Sequence, residues 1–144
     1  MLSPTAYFIV LLLVSAYAFI LGRSDEQLAA GICILASIAS VIAMSPLTGR
    51  YSHVELGVLL VDVLTLAGFI FLALRSERFW PLWVAGLQLT TLMGHFLKAV
   101  ELDLMPHAYA AAARFWVYPI FLIIVVGTWR SHQRARSEGQ TGTA

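Results

Sequence analysis

The chain has 144 residues, 60% hydrophobic and only 12% charged, with nine Lys and Arg against eight Asp and Glu for a net charge of +1. Soluble domains carry about 25% charged residues, so the composition excludes an ordinary soluble domain, a disordered chain and a basic nucleic-acid binder. One cysteine excludes an intrachain disulfide framework and a cysteine-rich zinc site, which leaves an all-α integral membrane bundle.

A helix needs about 20 apolar residues to cross the hydrocarbon core, and five runs approach that length. The first, residues 4–22, opens on Ser3-Pro4, a cap and first-turn pair, and stops at the charged loop Gly22-Arg23-Ser24-Asp25-Glu26. Its Ala16-Tyr17-Ala18 resembles a signal-cleavage site, but no Lys or Arg precedes Arg23, so the run is expected to stay as a span. The second, 28–44, follows Ser24-x-x-Gln27, which has the form of a capping box, and ends at Ser45-Pro46. The third, 54–74, is introduced by a second such box, Ser52 to Glu55. The fourth, 79–100, carries Pro81 in its first turn, where a missing N–H is harmless. The fifth, 108–129, contains Pro119, which predicts a kink. Residues 1–129 thus form one transmembrane domain, and 130–144, rich in Ser, Gly and Thr, read as a disordered tail.

With five spans, Arg23, Arg75, Arg78, Arg130, Arg134 and Arg136 fall on one side and only Arg50 in a loop on the other. The positive-inside rule makes the crowded side cytoplasmic, with the N-terminus outside and the C-terminus inside. The tail arginines can touch anionic lipid heads, but a solvated tail that sets topology is the better account of them.

The informative charges lie within helices three to five. Glu55, Asp62, His95, Lys98 and Arg114 fall at or below the membrane surface, and a charge at the bilayer centre costs about 3 kcal/mol on insertion scales. Glu55 and Asp62 stand about 20° apart around helix three. Gln88, Thr91, His95 and Lys98 share one face of helix four, opposite Leu89, Leu92, Met93, Phe96 and Val100. On helix five, His107, Arg114 and Tyr118 align. Folding helices three and four back around residues 75–78 puts Asp62 level with Thr91 and Glu55 level with Lys98, at about 1.5 Å per residue. The expectation is a Glu55–Lys98 pair and an Asp62–His95–Arg114 group with Tyr118 nearby. Imidazoles titrate near pH 6.5 in water, which makes His95 a proton-carrier candidate. The alternative is structural: paired charges hold helices in register, and Lys98 and Glu101 snorkel to the interface.

His53, His95 and His107 all fall on the outer half, yet no His-x-x-x-His or Glu-x-x-His spacing supports a haem or metal site, so no cofactor and no metal are expected. No nucleophile elbow, phosphate loop or zinc motif occurs, and no enzymatic activity is expected. Gly86-x-x-x-Thr90-x-x-x-Gly94, Ala36-x-x-x-Ser40 and Ala110 to Ala113 are expected to permit close helix packing. Phe79, Trp80, Trp83, Trp116 and Trp129 suit aromatic belts. Cys33, in an apolar run, reads as buried and inert.

The stretch from Tyr51 to Arg130, with Arg78-Phe79-Trp80-Pro81-Leu82-Trp83-Val84-Ala85-Gly86, His95, Met105-Pro106-His107-Ala108-Tyr109-Ala110 and Tyr118-Pro119, resembles a group of small bacterial multi-pass membrane proteins of unassigned function. That resemblance implies the cell inner membrane and brings no catalytic residues. The thiol pairs of mercury carriers and the Glu/Arg/Asn pattern of glutathione-linked membrane enzymes are absent. Two functions follow as expectations. One is an outward-facing polar cluster (Asp62, His95, Arg114, Glu55, Lys98, Gln88, Tyr118) that binds or transports a proton, cation or small polar solute, within a homo-oligomer or beside a membrane partner. The other is a non-catalytic accessory subunit whose charges serve helix packing.

Overall fold

The computed structural model describes residues 4–43, 51–100 and 115–141, with side chains at 4–43, 56–96 and 115–140. Among these residues there are five helices and no strand: α1 (Pro4–Leu21), α2 (Ser24–Ala43), α3 (Tyr51–Arg75), α4 (Trp80–Val100) and α5 (Val117–Thr141). Three segments, Pro4–Leu21, Ser24–Ala43 and Leu56–Arg75, are long and apolar enough to cross a membrane.

The helices form a ring of neighbours, α1 on α2, α2 on α3, α3 on α4, α4 on α5 and α5 back on α1, with α2 also reaching α5. The ring is inverted relative to a soluble bundle. Leu12, Leu13, Ile20, Leu35 and Leu74 stand at least 65% exposed, while Ser15, Glu26, Ser37, Thr65, Gln88 and Thr91 are buried. Acyl chains solvate leucine as well as a protein interior does, so apolar burial supplies little drive between such helices, and small residues that allow close approach mark the contacts. Ala29, Ala30, Cys33 and Ser37 supply that face on α2, against Leu11, Ser15 and Ala18 of α1. Gly68 serves α3 in the same way, since a Cβ there would stand 3.3 Å from the Ile32 side chain. Three of the buried hydroxyls are satisfied within their own helices: Ser37 donates to the Cys33 carbonyl at 2.8 Å, Thr65 to Val61 at 2.7 Å and Thr128 to Ile124 at 2.8 Å. Each closes the i−4 position without needing a partner helix.

Several boundaries differ from the sequence reading for identifiable reasons. The polar residues Ser24 to Gln27 are the first turn of α2 and not a loop, because Asp25 and Glu26 favour the positive end of the helix dipole. The cap joins Arg23 and Glu26, not Ser24 and Gln27: the Arg23 N–H donates to Glu26 Oε2 at 2.9 Å. Gln27 instead turns its Nε2 back to the Phe19 and Gly22 carbonyls, both at 3.2 Å, and so closes the end of α1. Gly22 is required in that turn, since a side chain there would collide with the Ala18 carbonyl and Glu26 Cβ. The helix α3 is already formed at Tyr51, one residue ahead of the expected cap at Ser52, and the side chains of Ser52 and Glu55 lie outside the described residues.

Pro119 lies just after a break in the helix, and residues 108–114 of the expected fifth span lie outside the described residues. It is the third residue of α5, and the turn at Trp116 falls where the proline cannot bond back to Phe115. The expected disordered tail is helical as far as Thr141. Ser131 is fully buried against the bundle, and Gln133, Arg134, Ala135 and Arg136 are good helix formers that extend an existing helix without a new nucleus. Gly86 and Thr90 face outward, with nothing within 4 Å of a Cβ at Gly86, so that stripe makes no close contact among the described residues. Ala36 and Ser40 are only half-buried, and the run Ala110 to Ala113 lies outside the described residues.

Candidate functional site

The polar face of α4 points inward. Gln88 and Thr91 are buried and His95 is half-buried, whereas Leu89, Met93 and Phe96 are 47%, 55% and 68% exposed. Asp62, on α3, meets that face. His95 Nε2 lies 2.8 Å from Asp62 Oδ2, and Gln88 Nε2 donates to Asp62 Oδ1 at 3.1 Å and to its backbone carbonyl at 3.5 Å. Gln88 and His95 are two turns apart, so a carboxylate level with Thr91 takes one partner from the turn on either side. Thr91 itself closes onto the Leu87 carbonyl at 3.3 Å and leaves the carboxylate to its two neighbours.

The side chains of Asp62 and His95 are 19% and 20% exposed. Asp62 lies thirteen residues from Arg75, the end of α3, which is about 20 Å along the helix. A carboxylate and an imidazole in contact can hold one proton between them, on the ring with the carboxylate ionised or on the carboxyl with the ring neutral. The Gln88 amide fixes the carboxylate by its second oxygen and leaves Oδ2 for the ring. Gln88→Leu removes that donor and is expected to destabilise the protein by about 1–3 kcal/mol, read from denaturant unfolding in micelles.

Tyr118 is not placed with this group. It packs against the central apolar cluster, and α5 rests chiefly on α1 and α4. Near it Tyr7 stacks with Phe121 at 5.9 Å between ring centroids and shares a 2.7 Å hydrogen bond with Ser37. Arg114, with Glu101, Asp103 and His107, and the side chains of His53, Glu55 and Lys98 lie outside the described residues, as do the contacts predicted for them. No group of three or more His, Cys, Asp or Glu suited to a metal ion occurs among the described residues.

A second polar cluster went unread in the sequence. At the opposite end of α3 and α4, Arg78 Nη1 contacts Glu26 Oε1 at 2.8 Å; the Glu26 side chain is fully buried and that of Arg78 is 22% exposed. Beside it the Ser76 hydroxyl donates to Asp25 Oδ2 at 2.6 Å. Two adjoining cavities open here, of about 500 Å³ between the start of α4 and α5, and about 350 Å³ beside the α1–α2 turn. Arg23, Arg75, Arg78, Arg130 and Arg134 line them, so the basic segments expected on one side of the membrane do gather at one end of the bundle. The available signal was Arg23-x-x-Glu26, a capping spacing inside what reads as a solvated loop.

No protein family, no curated protein and no solved structure matches this chain.

Proposed function

We propose that the protein is a five-span membrane protein in which Asp62 and His95 form a protonatable site that binds or carries a proton, a cation or a small polar solute. The observation that carries this reading is the 2.8 Å contact between a carboxylate and an imidazole inside a bundle whose outer surface is apolar. Ionisable groups deep in such helices are costly and characteristically mark ion and proton pathways. In this reading the fourth span is α4 and the fifth is the expected run of residues 108–129, of which the described part is the apolar start of α5, from Val117 to Trp129. With the arginine-rich end taken as cytoplasmic under the positive-inside rule, Asp62 would face the outer half of the bacterial inner membrane that the sequence resemblance implies.

The test is flux into proteoliposomes loaded with a pH-sensitive dye, in an imposed proton gradient with and without sodium or potassium. The wild type is expected to dissipate the gradient at least tenfold faster than Asp62→Asn, with His95→Gln equally slow. Equal flux through wild type and Asp62→Asn removes the transport reading.

One observation favours a second reading, that of an accessory subunit in which the polar pair serves packing: both oxygens of Asp62 already have partners on α4, and Asp62 lines neither cavity. A stoichiometric partner after mild detergent extraction supports that reading, and a homogeneous homo-oligomer opposes it.

A further inference from the structure

The larger cavity combines two surfaces that seldom meet. Its cytoplasmic-end wall carries Arg78, Arg130 and Arg134 with Glu77 as the single acid, and its deeper wall is Phe79, Leu122 and Val126, which are 82%, 64% and 43% exposed. Arg130 and Arg134 stand one helical turn apart on one face of α5, about 6 Å along its axis. From Arg134 to Leu122 the cleft follows α5 for twelve residues, about 18 Å. The charges do not cancel. Across both cavities five arginines face Asp25 and Glu77, and the buried Glu26 behind them offsets one more, so two positive charges remain. Arg78 is already held by Glu26, which leaves Arg130 and Arg134 as the pair facing a ligand.

We propose that this cleft binds one anionic phospholipid, with its phosphate between Arg130 and Arg134 and an acyl chain along Val126 and Leu122. The charge surplus selects an anion, and the apolar wall, continuous with the exposed outer surface of the helices, selects one that carries a chain. Guanidinium groups suit phosphate oxygens because they present paired donors. Asp62 does not line this cleft, and the proposal does not rest on transport by that residue.

The full-length protein, reconstituted in nanodiscs of equal phosphatidylcholine and phosphatidylglycerol and extracted into zwitterionic detergent, is analysed by native mass spectrometry. Wild type is expected to retain one phosphatidylglycerol per chain and no phosphatidylcholine. Arg130→Gln with Arg134→Gln is expected to reduce retention about 30-fold, with each arginine contributing about fivefold. The Arg130→Lys, Arg134→Lys pair restores most of it. Arg136→Gln removes a charge from the same end but from neither cavity, and retention should stay within twofold of wild type. A loss in Arg136→Gln equal to that in Arg134→Gln overturns the site in favour of diffuse attraction to a basic surface. Displacement of the lipid by inorganic phosphate alone at millimolar concentration also overturns it, since the site would then take a free anion. Val126→Trp, which fills the apolar wall and leaves both arginines, should release the lipid; retention in that variant overturns the placement of the chain.

Discussion

Arg78→Met is expected to destabilise the protein by about 3–5 kcal/mol, because it strands a carboxylate in a site from which water is excluded. Glu26 is fully buried, and its two oxygens are assigned to the Arg78 guanidinium and the Arg23 amide. The loss is specific to leaving one partner behind. Glu26→Gln with Arg78→Met removes both charges and keeps a side chain that can cap Arg23, so the double variant should come within about 1 kcal/mol of wild type. Unfolding in mixed micelles, titrated with SDS, gives all three values. A double variant as unstable as Arg78→Met alone would show that packing of the arginine stem, and not the ion pair, holds the α1–α2 turn against the α3–α4 turn.

The second large effect concerns the pair at the centre of the bundle. His95→Leu leaves Asp62 with the Gln88 amide as its one partner among the described residues and should cost about 3 kcal/mol, the scale of an unpaired acid at membrane depth. Adding Asp62→Asn should recover part of that loss, since an asparagine oxygen still accepts from Gln88 and carries no charge. The coupling between positions 62 and 95 is expected at about 1–3 kcal/mol. Strictly additive variants would mean that the two side chains touch without depending on each other.

Helix geometry explains why the Asp62 group was legible in the amino-acid sequence. Spacing of 100° per residue puts Gln88, Thr91 and His95 on one face of α4, and the short connection from Ser76 to Phe79 fixes its register against α3. Asp62 then falls level with Thr91, where both Gln88 and His95 reach it. Position along α5 had no such anchor, because a longer segment separates it from α4, and Tyr118 proved to face the apolar centre. The packing stripe at Gly86 and Thr90 failed on the same geometry that succeeded elsewhere. Gly86 is about 200° from Gln88 around the helix, so the two cannot both face α3. The Glu26–Arg78 pair was hidden for another reason. Charged residues next to an apolar run look the same whether they form a loop or the first turn of the next helix, and only the fold brings two connections together at one end of the bundle.

Titration of the Asp62 carboxyl by infrared difference spectroscopy, in lipid bilayers, tests most directly whether the pair is a working proton site. If Asp62 and His95 exchange a proton with water, a carboxyl band should appear as pH falls across the accessible range and should vanish in Asp62→Asn. A spectrum with no pH-dependent band that Asp62→Asn removes would show a carboxylate locked in one protonation state, which contradicts a proton-carrying role and leaves the pair as a helix-packing device.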